Sequence, residues 1–495
     1  MKAFWISLIS VLCIVILFFL FLPQLASTSW GKNIFVKLAF GDYSTKTSVG
    51  SLNLSWFGPQ EMENLEVRGN EVEVELEYLH ADISLFSLFT LGDLDPDIFE
   101  KVNGKVEIQN GSVHFPLQNT KFHNIQGELD HSDNDAPLSF SMRGASIERG
   151  NQGTFIIKGH VDHLGKEWDD FICKGNVELN NIPTAGIDSL VSFHFPKLDH
   201  VLIQILGPIM TLHSNVSIDQ GTGRIDGDLR STRLKTYLDA TFSHGVITLN
   251  RDLIASIQLT PALSNYLLRD FNPLFITGIE AENPIRLEIY SRNFSFPVRP
   301  FDIRNVKMKA NLDMGRIRCQ NGGTLSLLIS LMKYHTLFGV HEMNVWFTPV
   351  NIELQQGYAV TDRMDALVAD SIHVCTWGKI NLKNDKIDMI LGFTRQALEQ
   401  AFHISNLPRD YVMQIPLTGT TKDPKIDMGK AAAKIAALIA INATDKTKGF
   451  LGGLLGKTIA PEPPPKLPFP WEGKVQPVPK DRPEAQDFFD LFKKN

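Results

Sequence analysis

Between Glu71 and Tyr78 every second residue is a glutamate: Glu71, Glu73, Glu75 and Glu77 alternate with Val72, Val74, Leu76 and Tyr78. A period of two sends successive side chains to opposite faces of a strand, so this octet predicts a sheet with one apolar face and one acidic, solvated face. Similar alternating runs recur from residue 49 to about 427, among them Lys105–Ile108, Ser112–Phe115, Thr154–Val161, Asn215–Ile218, Ile285–Tyr290 and Lys386–Gly392. Asn110-Gly111, Gly175-Asn176, Asp226-Gly227 and Asn384-Asp385 punctuate them, and these residue types suit tight hairpin turns. The expected fold is mainly β, an elongated antiparallel meander of about twenty strands with few helices. The helical periodicities fall at Leu198–Gly207, Pro261–Phe271, Gly323–His335 and Thr394–Ile404.

The two ends of the chain differ from this body. Phe4 to Leu22 is an almost unbroken apolar run, preceded by Lys2 and closed by Pro23. At ~1.5 Å rise per residue it is long enough to cross a hydrocarbon core of about 30 Å as a helix. A secretory signal has a shorter core of about 7–15 residues, so residues 1–27 are expected to be an uncleaved single-pass anchor, with a cut after Ala26 or Ser27 as the alternative. A lone N-terminal anchor ahead of a long polar chain usually exports that chain. Residues 28–427 then form the β body. Residues 428–458 carry an Ala-, Ile- and Leu-rich helix, Gly429–Ile441, and a Gly/Leu stretch, Gly449–Gly456; residues 459–495 are a tail that opens on the proline run Pro461–Pro470 and closes on the short amphipathic segment Gln486–Phe492. The segment Gly429–Gly456 is expected either to cap an end of the sheet or to meet a membrane or a partner there; packing as an ordinary terminal helix is the simpler alternative.

Composition excludes several classes. The formal charge of −7 is spread without a basic stripe, so a nucleic-acid partner is not expected. Cys173, Cys319 and Cys375 stand far apart and give neither a disulfide framework nor zinc-ligand spacing. Gly452-Gly-Leu-Leu-Gly456-Lys457-Thr458 superficially suggests a phosphate loop, but the required spacing places glycine at 451, where Leu451 stands. His194, His200, His213, His335 and His341 show no metal-binding spacing; Asp93, Asp95 and Asp97 lack the glycine and glutamate of a calcium loop; no GxSxG is present. No catalytic residue, metal ligand or cofactor site is therefore expected, and the protein is not read as an enzyme.

Two segments carry a family likeness. The first is Gly50-Ser-Leu-Asn-Leu-Ser-Trp56-Phe-Gly-Pro59 running into Met62–Val67, shortly after the anchor. The second is Ile415-Pro-Leu-Thr-Gly419-Thr-Thr-Lys-Asp423-Pro424-Lys-Ile-Asp427, followed by the Ala-rich helix. With Gly104–Val113 as a glycine-punctuated strand unit between them, this pattern resembles the AsmA-like proteins of the Gram-negative envelope, the superfamily that includes the TamB and YhdP groups. The resemblance covers most of the chain in architecture, but its specific motifs, of which Trp56, Pro59, Gly419, Asp423 and Pro424 are the distinctive residues, lie at the two ends. It implies an inner-membrane protein, single-pass, with its body in the periplasm and folded like a taco shell. Its apolar groove would guide phospholipid toward the outer membrane or serve outer-membrane biogenesis, with an outer-membrane or periplasmic protein as a further partner. Val72, Val74, Leu76 and Tyr78 are the candidate groove lining. The reading from a different class is a non-catalytic scaffold whose sheet encloses an ordinary core and whose tail binds a protein.

Overall fold

The computed structural model describes residues 23–475 except 25, 41–45, 86–102, 133–136, 164–169, 195–200, 267, 276, 299–300, 332–340 and 443–460. The anchor run Phe4–Leu22, the aspartates 93–97, His200, His335, the Gly/Leu stretch with Lys457, and Gln486–Phe492 lie outside the described residues. Among those described, no helix is long and apolar enough to cross a membrane. The chain is mainly β, with antiparallel pairing throughout, and it divides into two compact units: Met1–Thr232 with Tyr237–Gly245, and Arg233–Thr236 with Val246–Asn495.

The first unit is a meander of ten strands: β1 (Thr47–Asn53), β2 (Gln60–Arg68), β3 (Glu73–Asp82), β4 (Gly104–Phe115), β5 (Thr120–His131), β6 (Leu138–Glu148), β7 (Asn151–Asp162), β8 (Ile172–Pro183), β9 (Ile209–Asp219) and β10 (Thr222–Ser231). Each pairs antiparallel with the next. Helix α1 (Ser29–Phe40) sets Val36 on Val49, Leu52, Leu54 and Leu65. It also satisfies backbone groups of β1 and the residue after it: Lys32 Nζ donates to the Gly50 carbonyl at 2.8 Å and Leu54 N–H donates to Ser27 Oγ at 2.9 Å. Helices α2 (Thr184–His194) and α3 (Val201–Leu206) follow β8, and Asp188 Oδ1 accepts the Leu202 N–H at 3.0 Å, tying one to the other.

Three of the four expected turns are not turns. Asn110-Gly111, Gly175-Asn176 and Asp226-Gly227 lie inside β4, β8 and β10; only Asn384-Asp385 connects two strands. Asn110 adopts φ 50°, as do Asn64, Asn124 and Asn181 at 51°, 54° and 53°. Asparagine tolerates this left-handed region, and there it bulges a continuing strand instead of reversing it. Glycine at 111 follows from close approach, since a Cβ would stand 2.9 Å from Leu76 Cδ2 and 3.2 Å from Ile125 Cβ. The actual tight hairpins use Arg149-Gly150, Gln220-Gly221, His244-Gly245 and Gln356-Gly357, with φ positive at both residues of each, as a right-handed strand twist requires.

The second unit holds β11 (Leu234–Ser243) through its first three residues, then β12 (Val246–Leu249), β13 (Leu253–Ile257), helix α4 (Pro261–Tyr266), β14 (Gly278–Ala281), β15 (Ile285–Pro297), β16 (Lys307–Asp313), β17 (Arg316–Gln320), helix α5 (Gly323–Leu331), β18 (Glu342–Phe347), β19 (Val350–Gln355), β20 (Tyr358–Val368), β21 (Ile372–Asn381), β22 (Lys386–Thr394), helix α6 (Arg395–Phe402), β23 (Val412–Gly419), β24 (Pro424–Ile426) and helix α7 (Met428–Asn442). Strand β20 is the junction. Its first half pairs with β19 and its last residues with β18, while β21 lies along its other side. A bulge between Thr361 and Met364 releases Asp362 and Arg363 from the ladder. The core is aromatic and aliphatic, with Phe275, Phe347, Phe393, Leu325 and Leu328 fully buried.

Helix α7 is the described part of the segment Gly429–Gly456, whose residues from 443 on lie outside the described residues. Asp427 caps it, accepting the Lys430 N–H at 2.9 Å, and Ala431, Ile435 and Leu438 are buried at the i, i+4, i+7 spacing of one face. Lys434 Nζ donates to the Gln414 carbonyl on β23 at 2.8 Å. That apolar face is thus already occupied within the unit.

Candidate functional site

Residues directly opposite in an antiparallel ladder share a face. In the first unit this register draws an apolar line across the sheet. Leu52 faces Met62, which faces Leu79, and the line continues through Ile108, Gly127, Met142, Ile157 and Val177. A second line runs through Ala81, Val106, Leu129, Phe140, Gly159, Gly175, Val216 and Ile225. At ~4.8 Å between strands, the face from β2 to β10 is about 40 Å across.

The opposite face is polar over the same span, through Asn53, Glu61, His80, Glu107, Glu128, Ser141, Lys158, Asn176, Asn215 and Asp226. Its groups bond to one another. Asn53 Nδ2 donates to Glu61 at 3.2 Å, Lys105 Nζ lies 2.7 Å from Glu107 and 2.8 Å from Glu128, and Asn215 Nδ2 donates to Asp226 at 3.1 Å. Bonds from Asn53 and Tyr78 hold the Glu61 carboxyl below its ordinary range, and the bond from Lys105 does the same for Glu107. This side is made for water.

The apolar face is closed at two places. Under α1, Val49, Leu52 and Leu65 are buried. Beside α2, the rings of Phe115, Phe122 and Phe155 meet edge to face at 6.3 and 6.0 Å, and Ile182 is fully buried. Between them the lines are half-buried: Leu79, Val106, Ile108, Leu129, Phe140, Ile157, Val177 and Val216 all keep part of their surface in solvent, and Met142 is 39% exposed. Among the described residues, no helix packs on this middle stretch.

The expected groove residues fall unevenly on this map. Val74 lies opposite Val67 and Val113, and Leu76 opposite Leu65, packed against the cluster beneath α1. Val72 precedes β3, its carbonyl accepting the Gly69 N–H at 2.8 Å in the β2–β3 turn. Tyr78 belongs to the other face: its hydroxyl donates to Glu61 at 3.2 Å, and its ring stacks beside His80 with centroids 6.2 Å apart. Leu79 takes the place expected of Tyr78: the registers on both sides of β3 run on unchanged, but both ladders skip Glu77, opposite Asn64 and Asn110 at φ 51° and 50°, and the alternation changes phase there. Met62 and Leu65, and likewise Ile108 and Gly111, reach the same side three residues apart.

The family-like residues are architectural. Trp56 is buried, and Ser84 Oγ donates to its carbonyl at 2.6 Å. Pro59 is exposed in a loop that Gln60 clamps: its side chain accepts the Ser55 N–H at 2.8 Å and donates to the carbonyls of Ser55, Gly58 and Ile83 at 2.7, 2.7 and 3.0 Å. Gly419, at φ 89°, and Pro424 face each other across the β23–β24 hairpin, whose turn closes through the Thr420 N–H donating to the Asp423 carbonyl at 3.2 Å.

A polar cluster that no motif announced lies in the second unit. Arg363 grips Asp365 through two bonds, Nε to Oδ2 at 3.0 Å and Nη2 to Oδ1 at 2.9 Å, and His373 Nε2 lies 2.9 Å from the same Oδ1. All three side chains are nearly or wholly buried. Burial works to raise the Asp365 pKa, but the bonds from His373 and Arg363 outweigh it and leave the carboxyl below its ordinary value. Only the spacing Arg363-x-Asp365, running into the apolar end Ala366-Leu367-Val368 of the strand, hints at this cluster in the sequence. The thiols of Cys173, Cys319 and Cys375 are free, burial pushes that of Cys319 up to about 12, and the described residues contain no cluster of metal-ligating side chains. The chain matches no protein-family model, and no curated protein or solved structure matches it either.

Proposed function

We propose that the first unit is a non-catalytic carrier surface for the acyl chains of phospholipid, in a protein held at the inner membrane by Phe4–Leu22 with its body in the periplasm. One observation carries this reading: two lines of half-exposed apolar side chains cross the sheet, and the hydrogen-bonded polar face behind them leaves only one side suited to a hydrocarbon ligand. A span of about 40 Å is two to three times the ~15 Å that acyl chains occupy in one leaflet, so the face accommodates more than one chain. Gly127 and Gly175 stand in the lines and add no side chain to the surface, whereas Gly159 follows from close approach, a Cβ there meeting the Lys174 carbonyl at 2.5 Å and the Phe140 ring at 3.0 Å.

Native mass spectrometry of the full chain released from mild detergent tests the proposal. Bound phospholipid is expected, and Met142→Glu or Ile157→Glu should lower its occupancy at least fivefold, because a carboxylate on the apolar face must be desolvated against the acyl chain. Glu107→Lys, on the polar face, should leave occupancy unchanged. If folded variants of both faces load alike, no lipid sits on this surface, and the sheet is better read as a scaffold.

A further inference from the structure

In the second unit the proline-rich segment Pro461–Val475 lies across one face of the sheet. Trp346 stands opposite Leu367 and Leu367 opposite His373 on that face, and Trp471 is buried against Trp346 and Leu367. The rings of Phe469 and Trp471 are parallel at 4.9 Å, and both meet the His373 ring edge to face, at 4.9 and 5.2 Å. Charges pin the rest. Glu462 pairs with Arg363, Lys466 Nζ donates to the Pro349 carbonyl at 3.0 Å and lies 3.2 Å from Asp362, and Lys474 Nζ sits 4.9 Å from the centre of the Trp346 ring.

Two features set this contact apart from permanent core. Beneath the segment lie His373 and the Arg363–Asp365 pair, and enclosing an ion pair costs the hydration of both charges. Re-exposing them to water returns much of that cost, so this face is far easier to uncover than an apolar one of the same area. The cleft also continues beyond the segment. Past Pro463 it stays open, with a volume of about 910 Å³ and walls that include Tyr290, Asn351, Asp362 and Trp377. Trp377 is only 4% exposed, yet its indole N–H has no hydrogen-bond partner. An extended proline-rich chain presents unbonded carbonyls along its length and docks on aromatic-lined grooves.

We propose that the second unit carries a docking cleft for proline-rich peptides bearing aromatic residues, that residues 461–475 fill one end of it in cis, and that a partner's segment of the same chemistry displaces them. The cis segment competes at the high effective concentration of a tethered ligand.

Titration calorimetry with a synthetic peptide of residues 461–475 tests this on the full chain. The variant Phe469→Ala/Trp471→Ala, whose own segment is released, should bind the peptide at least tenfold tighter than the unaltered chain, and a peptide carrying Trp471→Ala should not bind. A peptide lengthened by four prolines at its N-terminus should bind a further threefold tighter; equal affinities would end the cleft at Pro463 and overturn its extension. Absence of saturable binding to a released variant with native circular dichroism would overturn the docking cleft itself. Should that variant not fold, hydrogen exchange on the unaltered chain decides: amides of residues 469–475 should exchange at least a hundredfold faster than those of Val374–Trp377. Protection equal to that of the strand would make the segment permanent core and sink the proposal.

Discussion

Strands β3 and β22 contrast the two units. β3 has no fully buried residue along its length, whereas seven of the nine residues of β22 are buried. Their sequences differ accordingly: Glu73-Val74-Glu75-Leu76 alternates, while Met389-Ile390-Leu391-Gly392-Phe393 is continuously apolar. A strand covered on both faces reads as an unbroken hydrophobic run, and a strand wet on one face reads as an alternation. In β22, Ile390 packs with Cys375 and Trp377 on one side, and Phe393 is fully buried in the core. In the first unit the polar side of the alternation is accounted for by its own hydrogen bonds, but the apolar side is only half covered. The lesson is that strands of the same antiparallel kind are buried to different extents, and the sequence pattern of each strand follows its burial.

The contrast breaks or sharpens most at the core. Phe393→Ala is expected to cost about 4 kcal/mol and Ile157→Ala no more than about 1, because the first leaves a cavity and the second shortens a side chain already part in water. Thermal melts measure both; similar losses would make the first unit's face an ordinary core. Asp365→Asn should cost about 3 kcal/mol, because it removes the doubly bonded carboxylate from the buried Arg363 and leaves that guanidinium only its pair with Glu462. The Asp365 carboxyl has a lowered folded-state pKa, so its contribution is fully present above the unfolded value of 3.8 and is lost as pH falls through the folded value. Acid titration of stability should therefore show a loss below about pH 4 that is weaker in Asp365→Asn.

Smaller effects separate architecture from ligand surface. Gln60→Ala should cost about 2 kcal/mol, since it unclamps the carbonyls of Ser55, Gly58 and Ile83, without altering lipid occupancy in native mass spectra. Gly357→Ala, in a hairpin with φ 78°, should cost about 1 kcal/mol, read from the shift in urea midpoint. Glu107→Gln on the wet face should leave the urea midpoint unchanged despite the 2.7 Å contact with Lys105, because exposed pairs contribute little.

Much of the fold was legible. Alternation marked most of the strands, and the helices at Pro261, Gly323, Thr394 and Gly429 appeared within a few residues of their expected starts. Thr394 illustrates why: its Oγ1 accepts the Ala397 N–H at 3.3 Å, the capping role its residue type suggests. The helices Ser29–Phe40 and Thr184–His194 went unread. The first adjoins the apolar run, and the second, TAGIDSLVSFH, mixes glycine, serine and β-branched residues that weaken a helical signal. Turn chemistry misled at Asn110-Gly111 because asparagine and glycine serve bulges as readily as hairpins, while Arg149-Gly150 and Gln356-Gly357 carry their turns on glycine and a residue that gives no warning.

By itself the sequence determined the β class and the two-sided character of the first unit's strands. Each of these follows from sterics and solvation within a few residues. Only the tertiary structure decided that Leu79, not Tyr78, continues the apolar line, because the ladders on both sides of β3 skip Glu77 and the alternation changes phase there. It alone also brought Glu462 to Arg363, 99 residues away in the chain, and laid Trp471 over Trp346 and Leu367. No local pattern encodes those encounters; they depend on which distant surfaces the folded sheet leaves to be covered.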